Sequence, residues 1–68
     1  MKVQYVVNNF LGVFESIKLP INQEDLEKAI EDGSGLFDKP FNMVTKNGHL
    51  YFPVDIMKNS ILTIKVYK

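Results

Sequence analysis

The chain has 68 residues, no cysteine, and eight lysines that balance eight acidic residues without any arginine. This length predicts one domain spanning residues 1–68, with a core near the lower size limit for independent folding. The absence of cysteine excludes a disulfide framework and a thiolate zinc site. Because no apolar run approaches a membrane span and the N-terminus lacks a signal-peptide pattern, we expect a cytoplasmic protein that does not bind membranes.

The first twenty residues predict two strands, KVQYVV and FLGVFESIKLP, joined around Asn8-Asn9. A two-residue loop at that point gives the pair of strands two apolar faces. One face would carry Val3, Tyr5, Val7, Phe10 and Phe14, and the other Val6, Leu11, Val13, Ile17 and Leu19. A bulge at Gly12 that exchanges the two faces part-way stays open.

Residues 22–32 predict the one long helix of the chain. Asn22 is a good N-cap, and acidic residues fill the first turn, where they complement the positive end of the helix dipole. Leu26, Ala29 and Ile30 follow at helical spacing and predict a narrow apolar stripe. The glycines of Gly33-Ser34-Gly35 come at the negative end of this helix, whereas a phosphate loop precedes a helix. They therefore predict a helix stop and not an anion site.

The segment FNMVTKNGHLYFP, residues 41–53, predicts a β-hairpin, because Asn47-Gly48 between β-rich flanks favours a type I′ turn. A two-residue loop there would pair Lys46 with His49. The apolar face would carry Phe41, Met43, Thr45, Leu50, Phe52 and Val54, and the other face Asn42, Val44, Lys46, His49 and Tyr51. Pairing should end at Pro53, which has no N–H to donate, or the strand should lie at an edge there.

The last segment, SILTIKVYK (residues 60–68), alternates like a strand, and VDIMKN before it predicts a turn or a short helical connection. The whole chain therefore predicts an α+β domain in the order β-β-α-β-β-β. One helix would pack on a twisted antiparallel sheet or an incomplete barrel.

A single helix with three apolar positions cannot cover both faces of the N-terminal strands. We therefore predict that part of the second apolar face contacts another polypeptide, either a second copy or a host protein. The candidate interface residues are Val6, Leu11, Val13, Ile17 and Leu19.

The sequence offers no catalytic, cofactor-binding or metal-binding set. His49 is the only histidine, and neither a cysteine nor a nearby acid could complete a metal site or orient it as a base. The three serines lack the context of an activated nucleophile. We expect a protein that is not an enzyme and needs no cofactor.

An alternative function depends on where the last strand lies. If it pairs beside the hairpin, its lysine and tyrosine would join those of the hairpin on one sheet face, as in proteins that bind single-stranded nucleic acid. That face would comprise Lys46, His49, Tyr51, Lys65 and Tyr67. The absence of arginine and the neutral net charge weigh against this alternative.

The favoured interpretation is a non-catalytic module that binds or inhibits a larger protein and could also self-associate; a structural subunit of a homo-oligomer is a further alternative. Six asparagines, six isoleucines and a lysine-only basic set indicate an AT-rich gene. In size and composition the chain is similar to small accessory proteins of phages and mobile elements from low-GC Gram-positive bacteria, although no motif carries this resemblance.

Overall fold

A computed structural model describes residues 1–34 and 39–68 of the chain. Within these residues, six strands and two helices follow one another. In chain order they are β1 (Lys2–Asn9), β2 (Gly12–Glu15), β3 (Leu19–Pro20), α1 (Gln23–Ser34), β4 (Phe41–Thr45), β5 (Gly48–Phe52), α2 (Val54–Met57) and β6 (Ile61–Tyr67). The α+β class is confirmed, and the predicted second strand is divided into β2 and β3.

Strand β1 is the centre of the main sheet. It pairs antiparallel with β6 along one edge, and with β2 and then β3 along the other. The first and last strands of the chain are therefore neighbours. Strand β6 does not pair with the β4–β5 hairpin, which forms a separate two-stranded sheet.

Both hairpins turn through two residues, but the first loop lies two positions after the predicted one and the second lies one position before it. The loop between β1 and β2 is Phe10-Leu11, and the loop between β4 and β5 is Lys46-Asn47. In each, a side-chain oxygen of the residue before the loop accepts the backbone N–H two positions on: Asn9 Oδ1 from Leu11 (2.8 Å) and Thr45 Oγ1 from Asn47 (3.3 Å). This local bond is typical of turns that begin with Asn or Thr.

A glycine with positive φ follows each loop, Gly12 at +136° and Gly48 at +133°. No non-glycine residue among the described positions has positive φ, so the predicted type I′ turn, which needs positive φ at Asn47, is wrong. In each hairpin the residue before the loop is Asn or Thr and the residue after it is glycine. Type I turns favour residues of this kind at their first and fourth positions. In both hairpins the register shifts by an even number of residues, which keeps the side chains of β1, β2, β4 and β5 on their predicted faces.

The core lies between the two sheets. Val7 of β1, Met43 and Phe52 of the hairpin and Met57 of α2 form a buried cluster. Two edge-to-face aromatic pairs join the layers, Tyr5 with Phe41 at 5.5 Å and Phe14 with Phe52 at 5.4 Å between ring centroids. The partly buried residues around this cluster are Tyr5, Phe14, Phe41, Ile56 and Leu62. The face of the main sheet that meets the hairpin is called the inner face.

Helix α1 begins as predicted, because the Asn22 side chain accepts the backbone N–H of Asp25 at 2.8 Å. Of the predicted apolar stripe, Leu26 is buried, Ala29 is half-buried and Ile30 is exposed. The helix therefore covers little of the main sheet. It extends through Gly33 to Ser34, slightly beyond the predicted stop, and Gly35 lies outside the described residues.

The connection after the hairpin is the short helix α2, which confirms the predicted helical alternative. Pro53 lies immediately before it, so the pairing of β5 ends at Phe52 as predicted. No helix in the described part of the chain is long and apolar enough to cross a membrane.

Candidate protein-binding surface

The edge strand of the main sheet is interrupted at Ser16-Ile17-Lys18, between β2 and β3. The buried Ser16 bonds to Tyr5 twice: its N–H donates to the Tyr5 carbonyl (2.9 Å), and its Oγ accepts the Tyr5 N–H (2.8 Å). The next N–H, that of Ile17, donates to the Val44 carbonyl of the hairpin at 3.0 Å. The interruption therefore anchors the hairpin to the main sheet.

The same interruption exchanges the faces of the edge strand. Before it, Phe14 lies opposite Val7; after it, Leu19 lies opposite Val3. Because opposite residues share a face, Phe14 and Leu19 both belong to the inner face, although residues five positions apart in a regular strand point to opposite faces. An exchange of faces therefore occurs, but at Ser16-Ile17-Lys18 and not at Gly12.

This geometry corrects part of the predicted interface. Leu19 belongs to the inner face, because the extra residue at the interruption reverses its orientation. Val6 belongs to the opposite, outer face as predicted but is only 9% exposed, so it offers little area to a partner. Ile17 is half-buried in the interruption. Leu11 and Val13 remain as strongly exposed residues of the predicted set.

The exposed apolar residues at the β1–β2 turn and on the adjoining outer face form one group, named the outer patch. Its members are Phe10 (72% exposed), Leu11 (60%), Val13 (61%) and Ile61 (68%). The register aligns Val13, Asn8 and Ile61 in one row across β2, β1 and β6. Phe10 and Leu11 form the turn beyond that row. The sequence does not indicate the place of Ile61 in this group, because alternation in β6 does not show which strand lies beside it.

The other end of the outer face is basic. Lys18 Nζ lies 4.2 Å from the centroid of the Tyr67 ring, and the Tyr67 hydroxyl donates to Gln4 Oε1 at 2.9 Å. The register places Lys65 beside Gln4, and Lys2 beside Tyr67. The outer face therefore changes along its length from apolar side chains at the β1–β2 turn to lysines around Tyr67.

The geometry required for the predicted nucleic-acid face is absent. Because β6 pairs with β1, its Lys65 and Tyr67 lie on the outer face of the main sheet. Lys46, His49 and Tyr51 belong to the hairpin, which packs on the inner face. The five residues thus lie on two sheets that turn their exposed sides in opposite directions. Tyr67 is also half-buried, with Lys18 over its ring, so little of it is open for a base to stack on.

A groove with a volume of about 570 Å³ runs beside the strand interruption and the β4–β5 turn. Its charged lining residues are Glu15, Lys18 and Lys46, and the polar groups of Ser16 are already engaged in bonds to the chain itself. Within residues 1–34 and 39–68, no group of three or more histidine, cysteine or acidic side chains could hold a metal ion. The groove thus offers charge and hydrogen bonding without a recognisable catalytic arrangement.

The chain matches no protein-family model, and comparisons with curated proteins and with solved structures also give no match. Its function can therefore be argued only from its own residues and their geometry.

Proposed function

We propose that the protein is a non-catalytic module that binds a larger protein partner through the outer patch and thereby inhibits or modifies it. The observation that carries this proposal is the concentration of four exposed apolar side chains at the β1–β2 turn and the adjoining end of the outer face. Apolar side chains exposed singly are ordinary, whereas a contiguous group of them typically marks an interface.

The composition of the patch supports this function. Phe10, Leu11, Val13 and Ile61 supply apolar area; polar Asn8 lies between Val13 and Ile61 in their row, and Glu15 follows Val13 on the same face. Protein interfaces typically combine apolar contacts with polar groups that form hydrogen bonds. Burying each apolar side chain favours association by about 1.5–3 kcal/mol before the cost of ordering is subtracted.

The size of the molecule also fits this function. A standard interface covers about 800 Å² of each partner, which is roughly a sixth of the 4760 Å² surface of this chain. A small module can therefore devote one end of its outer face to a partner and retain its core between the sheets. A cytoplasmic accessory protein of a phage or mobile element that acts on a host protein is the setting we propose.

The test is affinity capture with the intact protein and two matched variants. Val13→Glu places a charge in the patch, and Tyr51→Glu places the same charge at an equally exposed position (61%) on the hairpin. We expect a partner that is captured from the source cell by the wild type and by Tyr51→Glu and lost with Val13→Glu. A partner that Val13→Glu retains, or the failure of the wild type to capture any, contradicts the proposal.

A further inference from the structure

The backbone of β6 exposes hydrogen-bonding groups along one edge. Tyr5 directs both its N–H and its carbonyl to Ser16, on the far side of β1 from β6. Tyr5 therefore forms no ladder bonds with Ile64, the residue opposite it in β6. In an antiparallel ladder such pairs alternate with bonded ones, so Ile64 points its N–H and carbonyl away from β1.

The residues two positions on either side, Leu62 and Val66, share this orientation. Among residues 1–34 and 39–68, β1 is the one strand that pairs with β6, and no backbone hydrogen bond reaches the other edge over Ile61–Tyr67. Seven residues make this a long open edge. Exposed edges of this kind are templates for pairing with another strand, and Lys65 is the one charged residue within Ile61–Tyr67.

We propose that the β6 edge pairs with the β6 edge of a second copy of the chain, antiparallel and centred on Ile64. Ile64 would face Ile64 of the second copy, and Leu62 would face Val66 of the second copy. Every outward N–H and carbonyl of these residues would then find a partner, because the bonded pairs of an antiparallel ladder exchange both groups. The two main sheets would join into one continuous sheet.

The sequence of β6 is self-complementary in this register. Lys65 would lie opposite Thr63 of the second copy, which keeps the two lysines apart. Moving the centre to Lys65 would place the two lysines directly opposite each other, where like charges destabilise the pair. On the inner face, Leu62 would cover Val66, which is 43% exposed in the single chain. A second copy therefore fits this edge in both its charge and its apolar contacts.

The pairing does not depend on the proposed function, because the outer patch lies outside the bonded residues 62, 64 and 66. A two-fold axis through Ile64, perpendicular to the sheet, would leave both outer faces on the same side of the dimer. The two outer patches would then lie at diagonally opposite ends of the joined sheet, so that one dimer could engage two sites on an assembly of partners.

Sedimentation velocity from micromolar to millimolar concentration tests this pairing in the intact protein. We expect a reversible monomer–dimer equilibrium. Val66→Pro removes an outward N–H without touching the ladder to β1, and should weaken dimerisation at least tenfold. Val66→Ala, which keeps the N–H, should still dimerise. A wild type that is monomeric throughout, or a dimer that Val66→Pro leaves unchanged, overturns the proposal.

A second pair of variants tests the register and remains informative if Val66→Pro does not fold. Position 63 is exposed, so charges there should leave the monomer intact. Thr63→Glu would face Lys65 of the second copy and tighten the dimer, whereas Thr63→Lys would loosen it. The dimer contains two such pairs of positions 63 and 65, related by symmetry. The dissociation constants of the two variants should therefore differ by roughly two- to thirtyfold. Equal or reversed effects overturn the register centred on Ile64.

Discussion

Tyr5 and Ser16 form two hydrogen bonds with each other, one through the Ser16 N–H and one through its hydroxyl oxygen. The same hydroxyl donates to the Ile17 carbonyl at 2.7 Å. These bonds stabilise the interruption that returns Leu19 to the inner face, and they fix the direction of the Tyr5 backbone. The absence of Leu19 from the outer face and the outward direction of the Ile64 backbone groups are both consistent with this contact.

Ser16→Ala tests the role of that hydroxyl. The substitution leaves the partly buried Tyr5 N–H without its acceptor, so we expect the free energy of unfolding to fall by about 1–3 kcal/mol. Asn42→Ala, at an exposed position of β4, is the control and should change it by less than about 0.5 kcal/mol. Urea denaturation measures both. A Ser16→Ala variant as stable as the control would show that the interruption does not need the hydroxyl.

The turn between β4 and β5 can be tested at two adjacent positions. Gly48 has φ +133°, and a Cβ added there meets no atom within 4 Å, so the cost of Gly48→Ala is backbone strain of about 1–3 kcal/mol. Asn47 has no positive φ, so Asn47→Ala should change the free energy of unfolding by less than about 0.5 kcal/mol. A comparable loss at both positions would instead indicate a type I′ turn. Thermal denaturation distinguishes these results.

Met43 and Leu50 are opposite each other in the β4–β5 hairpin but differ in burial, at 1% and 37% exposed. Met43 packs between the two sheets, so Met43→Ala should cost about 2–5 kcal/mol through lost contacts and a cavity. Leu50→Ala should cost less than about 1.5 kcal/mol, since part of its surface already meets water. If chemical denaturation gives equal losses, the core does not lie between the hairpin and the main sheet.

Much of the fold could be predicted because the alternation of side chains along a strand assigns the same faces when the predicted register is wrong by an even number of residues. Phe41, Met43 and Phe52 lie on the predicted face although the loop is Lys46-Asn47 and not Asn47-Gly48. Gly12 and Gly48 come three residues after Asn9 and Thr45, respectively. Glycine at the fourth position of a type I turn indicates both loops in the sequence.

Alternation identifies the faces of a strand but not its neighbours, so the pairing of β6 with β1 was not predictable from β6 alone. The outer patch was missed in part for this reason, because Ile61 joins Val13 only through that pairing. The face exchange was harder to locate, since Ser16-Ile17-Lys18 contains neither glycine nor proline. The sequence indicates the exchange only through Phe14 and Leu19, which are both apolar. They are five positions apart, a spacing that would place them on opposite faces of a regular strand.

The outer patch should tolerate charge in the isolated protein. Val13→Glu and Leu11→Glu change exposed positions, so each should alter the free energy of unfolding by less than about 1 kcal/mol. Val7→Glu, on the inner face with 0% exposure, should prevent folding because it buries an unpaired charge. Circular dichroism during urea titration compares the three variants. Unfolding of the Val13 and Leu11 variants would assign both residues to the core.

The central claim is that the outer patch binds the protein partner, and amide chemical-shift mapping tests it most directly. The ¹⁵N-labelled protein would be titrated with the captured partner after purification. We expect the largest changes at the backbone amides of Asn8, Val13 and Ile61 and of the Phe10-Leu11 turn, with little change along β5. Changes centred on α1 or on His49 and Tyr51, with the outer patch unaffected, would contradict it.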